Sequence, residues 1–388
     1  MMEQAAVVRD ATPKPMLYFD HNASSPLDAR VLEAMEPYLT TMYGNPSSTH
    51  RLGRASRTAL DIAREQVAQL VNVTSNQVVF TSGGTEANNL AAMMAKKTLG
   101  SHLLYGATEH PSVVSPINSF SALGYAVEAL AVNQQGIISR DELKARLRSD
   151  TTLVSMMHAN NETGVIQNIA EFSELIKPTG AVLHVDAVQS AAKIPVNFNA
   201  LGADLLTLSA HKMYGPKGVG ALIAAKPFEL EPMLSGGGQE WGRRAGTENV
   251  AAIVGFGKAA ELASQELGQR EQQLVSLKNT LEMRLKTIDG LNIVAEQASR
   301  LPNTTQVTIK GMDGELILMM LDKKGICISG GSACSSRILA PSPVLTAMGY
   351  CSEDALSAIR ISLGQRNTED EVIQLCEALR DIVATYAA

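Results

Sequence analysis

The sequence predicts an α/β fold, with a large domain built on a mostly parallel seven-stranded sheet and a small α+β domain following it. Three observations predict it. Seven short apolar runs rich in β-branched residues recur, with helical patterns between the earlier ones. A helical stretch of about forty residues then runs from about Thr247 to Ile288. Beyond it the texture changes to short strands interleaved with short helices. Strands alternating with helices bury a parallel sheet between helical layers.

In order, the apolar runs are Gln77–Thr81, His102–Gly106, Tyr125–Leu130, Thr152–His158, Ala181–Asp186, Asp204–Leu208 and Gly218–Ala224. Each has strand length and is bounded by turn residues. Glu86–Leu99, Pro111–Leu123, Ser139–Arg148 and Glu171–Lys177 carry the intervening helical patterns. The long stretch is first Ala- and Gly-rich, then rich in Glu, Gln, Lys and Leu. It exceeds a typical globular helix and reads as a connector, kinked or broken near Gly268. After it, strands are expected at Asn292–Ala295, Thr304–Ile309, Ile326–Ser329 and Ala358–Leu363, and helices at Gly314–Lys324, Ser342–Met348 and Thr368–Tyr386.

The chain of 388 residues is 45% apolar and 19% charged, a composition that buries a sizeable core and is far from disordered. Its net charge of −6, with no basic run, disfavours nucleic acid as the main ligand. The apolar stretch Ala5 to Val8 is too short for a signal-peptide core, and no run approaches a membrane span. The cysteines, at 327, 334, 351 and 376, contain no C-x-x-C pair. Reduced thiols and a cytoplasmic location are the expectation.

In an open parallel α/β sheet, ligands lie at the carboxyl ends of the strands. Four places there carry chemistry. Val79 to Asn88 reads as strand, Ser82-Gly83-Gly84-Thr85 turn and helix start, where free N–H groups make either a phosphate seat or a plain N-cap. Asp186 ends the strand Ala181–Val185, and its carboxylate can hold a proton on a ring nitrogen, bind a metal or cap a helix. Lys212 follows an apolar strand and precedes the turn Tyr214-Gly215-Pro216; a lysine held there is either a Schiff-base amine or a solvated side chain. Thr108-Glu109-His110 and His158 to Gly164 follow strands at the same edge. Phosphate seat, ring-nitrogen carboxylate, lysine and stacking imidazole are together what a pyridoxal phosphate site needs. The fourth place, Ser329 to Ser336, puts Cys334 in a Gly/Ser-rich loop of about 329–341, where an exposed thiol points to reactivity. Cys327 and Cys376 read as core residues.

Phe19-Asp20-His21-Asn22-Ala23, Gly44-Asn45-Pro46-Ser47-Ser48, Thr81 to Glu86, Ala210 to Gly218, Gly236 to Glu240 and Arg244 to Asn249 occur in one order. From about Leu17 to the C-terminus, the chain resembles the cysteine desulfurases of the NifS/IscS type, which are class V aminotransferases of the pyridoxal phosphate fold type I. The resemblance implies a large cofactor domain at 22–261, and a small domain of 1–21 plus 262–388 carrying the cysteine loop. It implies that Lys212 carries the cofactor, Asp186 pairs with the pyridine nitrogen and Gln189 meets the ring oxygen. Gly84, Thr85, Ser209 and His211 would hold the phosphate, with Thr247 reaching the phosphate of a neighbouring subunit, hence a homodimer. His110 would stack on the ring and move protons, Asn161 would lie beside the cofactor, and Arg360 would clamp the substrate carboxylate.

Cys334 falls where the family carries its nucleophile. The implied reaction converts L-cysteine to L-alanine and leaves a persulfide on Cys334 for a sulfur-acceptor or iron–sulfur scaffold protein, serving iron–sulfur or nitrogenase cofactor assembly or tRNA thiolation. Ser24-Ser25, Trp241 and Gly331 depart from the usual pattern, and none has an implied catalytic role. Selenocysteine lyases and small-amino-acid aminotransferases of the same fold are the rival readings. An aminotransferase has no use for Cys334.

Overall fold

The chain is described by a computed structural model covering residues 16–94, 99–225, 230–330 and 340–386. Fully buried strands need apolar residues on both faces, and the seven apolar runs all become strands of one sheet. Its order is Val78–Thr81, Gly220–Ala224, Leu205–Ser209, Val182–Asp186, Thr151–Met157, His102–Gly106 and Ala126–Leu130. Six strands run the same way, and Gly220–Ala224 runs antiparallel to both neighbours. Only residues 210–219 separate it from Leu205–Ser209, fewer than the dozen or so a parallel crossover needs.

Two N-terminal helices, Ala29–Thr40 and Arg51–Leu70, were not evident in the sequence pattern. They pack on the first part of the long helix Val250–Leu285, whose 36 residues span about 54 Å. That helix runs through Gly268 without the expected break. The Arg270 guanidinium donates back to Glu266 at 2.7 and 3.1 Å, bridging the glycine by an i,i+4 pair. Ala251 to Ala263 bury against the large sheet's core, whereas Leu274, Leu277, Leu281 and Leu285 enter a second core.

The second core is covered by an antiparallel sheet in the order Ser329–Gly330, Ile359–Ser362, Thr304–Ile309, Leu291–Ile293. The single strand expected over Ile326–Ser329 is two: Ile326–Cys327 pairs instead with Leu17–Tyr18, in parallel. Phe19 is fully buried in this second core, so the N-terminal segment packs with C-terminal elements. Cys376 is buried as expected, while Cys327 is only half-buried and Cys351 is exposed. Among the described residues, no helix is long and apolar enough to cross a membrane.

Candidate active site

Six co-directional strands deliver their carboxyl ends to one edge, and the expected polar residues gather there. Asp186 ends the strand Val182–Asp186; its Oδ1 accepts from the Val188 N–H at 2.9 Å and its Oδ2 from Asn88 Nδ2 at 2.8 Å. Asn88 sits one turn into the helix Gly84–Ala92, whose first residue packs against that same edge. A Cβ on Gly84 would lie 3.1 Å from Val188 Cγ2 and 3.5 Å from Ser209 Cβ. The turn before it is equally tight. A Cβ on Gly220 would meet the Gly83 carbonyl carbon at 2.6 Å, so the neighbouring strand must carry glycine there. Thr85 is exposed beside this helix start.

His110 follows the strand His102–Gly106 and caps the helix Pro111–Ser119. The Ser112 N–H donates to its Nδ1 at 3.1 Å, which leaves the ring proton on Nε2. Ser112 Oγ lies 2.8 Å from the same nitrogen and accepts from Asn88 Nδ2 at 2.8 Å, joining His110 to the Asp186 network. Burial and the charge of Lys212 hold the imidazole pKa below its usual value, against the pull of Asp186. Both effects favour the neutral imidazole.

Lys212 ends a short turn, Ala210–Lys212, directly after the strand Leu205–Ser209. Its Nζ donates to the carbonyls of Asn22 at 2.6 Å and Ala23 at 2.7 Å. The Asn22 carbonyl also accepts from Gln189 Nε2 at 3.0 Å. His211 Nδ1 lies 3.3 Å from Ser24 Oγ, and burial together with Lys212 lowers its pKa to about 4. Ser25 accepts from the Tyr214 N–H at 2.7 Å and donates to the His211 carbonyl at 2.8 Å, so both departing serines hold the lysine turn.

Arg360, 2% exposed, lies in the strand Ile359–Ser362 of the second sheet. Its Nη1 donates to the Asn161 carbonyl at 3.0 Å and its Nη2 to Asp20 Oδ1 at 2.7 Å. Asn22 Nδ2 donates to that same carbonyl at 3.1 Å, which ties Arg360 and Asn161 to the Lys212 turn. Thr247 is exposed just ahead of Asn249, the cap of the long helix, and among the described residues no hydrogen bond joins it to this cluster. Trp241 faces a different neighbour: the Arg64 guanidinium lies between its ring and that of Phe80, at 4.5 and 4.6 Å. Cys334 and Gly331 lie outside the described residues.

A sequence profile of the class V aminotransferases matches residues 17–375. The chain belongs to that family. Among its relatives is the cysteine desulfurase IscS of Dictyoglomus turgidum, 42% identical over 95% of this chain and 95% of that protein. A NifS-like protein of known structure superposes with a TM-score of 0.89 at 34% identity, over 95% of this chain and 100% of that one. SspA in complex with cysteine gives 0.80 at 31% identity, over 91% and 100%. The class V architecture accounts for the large, mostly parallel sheet, as the resemblance implied.

Asp20, Asn22, Asn88, Ser112 and Lys193 join this site without having been singled out from the sequence for a role. Asn22 and Asp20 lie in the motif Phe19 to Ala23, and Lys193 is a lysine in the apolar stretch Ala191 to Ile194, which was the available signal. Asn88 carried a weaker signal, an amide one helical turn past a glycine helix start.

Proposed function

We propose that this protein is a cysteine desulfurase that converts L-cysteine to L-alanine with pyridoxal phosphate on Lys212. The observation that carries the reading is the convergence of Lys212, Asp186 and His110 at one strand edge, beside a glycine helix start. The relatives named cysteine desulfurase support the substrate, as does the cysteine-bound SspA structure. The residues present fit the cofactor by their chemistry. A helix N-terminus suits a phosphate, a carboxylate fixed by Asn88 suits a ring nitrogen, and Asn88 Oδ1 is buried with no partner among the described residues.

In this reading Gly84, Thr85, Ser209 and His211 hold the phosphate, joined by Thr247 of a neighbouring subunit in a homodimer. Gln189 donates to the ring oxygen. When bound, the cofactor supplies an electron sink for the pair left at the substrate α-carbon. Arg360 and Asn161 orient the substrate carboxylate, Lys212 moves the α-proton, and neutral His110 accepts or returns a proton at the face of the ring. Cys334 takes the sulfur: an S–S bond forms as the substrate C–S bond breaks, leaving alanine and a persulfide. A sulfur-acceptor or iron–sulfur scaffold protein in the cytoplasm then receives it.

The test is reconstitution with pyridoxal phosphate followed by incubation with L-cysteine and a thiol reductant. Wild type is expected to be yellow and to release alanine and sulfide in equal amounts, and Lys212→Ala to lose both colour and turnover. A colourless wild type, or alanine formation by Lys212→Ala at the wild-type rate, would overturn the reading.

A further inference from the structure

The network around Asn22 contains a buried lysine that the proposed reaction does not use. Lys193, 7% exposed, lies four residues beyond Gln189 in the turns that follow the strand Val182–Asp186, and its Nζ donates to Gln189 Oε1 at 2.7 Å and to Asn22 Oδ1 at 2.8 Å. Burial, with Lys212 and Arg360 nearby, holds its pKa well below the ordinary lysine value, and charged or neutral the nitrogen has hydrogens for both oxygens. Both amide oxygens are therefore turned toward it, and both amide NH2 groups are turned away. For Gln189 this aims Nε2 at the Asn22 carbonyl, the same carbonyl that accepts from Lys212. For Asn22 it aims Nδ2 at the Asn161 carbonyl and at Thr304 Oγ1, 2.9 Å away.

The two amides do not depend on Lys193 equally. Asn22 Oδ1 keeps a second donor, Asn303 Nδ2 at 3.0 Å. Gln189 Oε1 has Lys193 alone among the described residues. With the Lys193 side chain removed, only the Asn22 carbonyl holds the Gln189 NH2 in place, and the amide loses the donor that fixes its Oε1 end.

We propose that Lys193 is a positioning residue for the cofactor end of the site, fixing Gln189 as a hydrogen-bond donor toward the ring oxygen. The proposal rests on the reading that Lys212 carries pyridoxal phosphate. A donor at that oxygen competes with the oxygen's own hydrogen bond to the protonated Lys212 nitrogen, so it favours loss of that proton. Among the described residues, the charged and titratable groups near these two lysines include His21, Tyr214 and Arg270, which line a small cavity with them, together with Arg360, His110, His211 and Asp186. None of these others hydrogen-bonds to Gln189 among the described residues, so Lys193 and the Asn22 carbonyl together set its orientation.

The experiment is a pH titration of the cofactor's absorption in the substrate-free holoenzyme. Lys193→Met is expected to move the titration of the Lys212 nitrogen upward by about one pH unit, and Gln189→Leu to move it the same way. In the double variant the shifts should not add, because Lys193 acts through Gln189. Lys193→Arg, also donor-only, should stay near the wild-type titration, and this holds even if Lys193→Met precipitates. An unmoved Lys193→Met titration, fully additive shifts, or a Lys193→Arg shift as large as that of Gln189→Leu would each overturn the proposal while leaving the cofactor reading intact. A wild type without pyridoxal absorption would overturn both.

Discussion

Arg360 is the residue on which substrate recognition is most exposed to test. Its guanidinium already has two partners, the Asp20 carboxylate at 2.7 Å and the Asn161 carbonyl at 3.0 Å. The Asp20 side chain is 19% exposed against 2% for Arg360, so Asp20 can hydrate and Arg360 cannot. A substrate carboxylate must share the guanidinium with Asp20 or displace it. Hydrogen bonds to charged groups contribute about 1.5–3 kcal/mol each, and about 1.4 kcal/mol is a factor of ten. Arg360→Ala is therefore expected to raise KM for L-cysteine by about ten- to a hundred-fold. Asp20→Asn keeps the shape and removes the competing charge, so its KM should stay level or fall, while the protein loses on the order of 3 kcal/mol because the buried guanidinium loses its counter-charge. Initial rates of alanine formation over a range of L-cysteine concentrations, with urea unfolding in parallel, measure both. A KM within two-fold of wild type in Arg360→Ala would refute the clamp. A KM raised equally in Asp20→Asn would make the ion pair, not the free guanidinium, the recognition element.

Two further expectations concern buried carboxylates. Glu240 takes a fork of two hydrogen bonds from Arg64, at 2.6 and 2.7 Å, and accepts the Phe80 N–H at 2.9 Å. Glu240→Gln should cost about 3–5 kcal/mol by stranding Arg64, read as a lowered urea midpoint; an unchanged midpoint would contradict it. Glu162 accepts from Ser342 Oγ at 2.6 Å and Gln306 Nε2 at 3.3 Å, and burial raises its pKa from 4.5 to about 7. A carboxyl group raised in the folded state binds its proton more tightly there than in the unfolded chain. Its contribution is full below pH 4.5 and lost as pH rises through about 7. The stability difference between wild type and Glu162→Gln should therefore change across that window. A difference independent of pH would show that Glu162 does not titrate there.

The large sheet was legible because most of its strands are buried on both faces and read as apolar runs; the edge strand Ala126–Leu130, half-exposed and carrying Glu128, is the exception. The helix Ala29–Thr40 was not, since it buries only Val31 and Met35 and contains Pro37. The helix is continuous through Gly268, spanned by the Glu266–Arg270 pair, which does not stand out in a pattern of apolar spacing. At the site, Lys212, Asp186, His110 and Gly84 could be found because each lies at, or within four residues past, the carboxyl end of an apolar strand. Asn22 and Lys193 act through hydrogen bonds between segments that only the fold brings together, the Asn22 amide oxygen meeting a lysine more than 170 residues later. Position in the chain carries no trace of that meeting. The resemblance supplied the motif around Asn22 but not its role as the acceptor shared by Lys212, Gln189 and Lys193.

The proposed function requires that sulfur leave L-cysteine for Cys334. Holoenzyme given one equivalent of L-cysteine, without reductant or acceptor, should gain a single sulfur atom, located on Cys334 by peptide mass spectrometry, with one alanine formed per chain. Cys334→Ser should keep the cofactor colour and gain no sulfur. Sulfur found instead on Cys327, Cys351 or Cys376, or alanine formed at the wild-type rate by Cys334→Ser, would contradict the account.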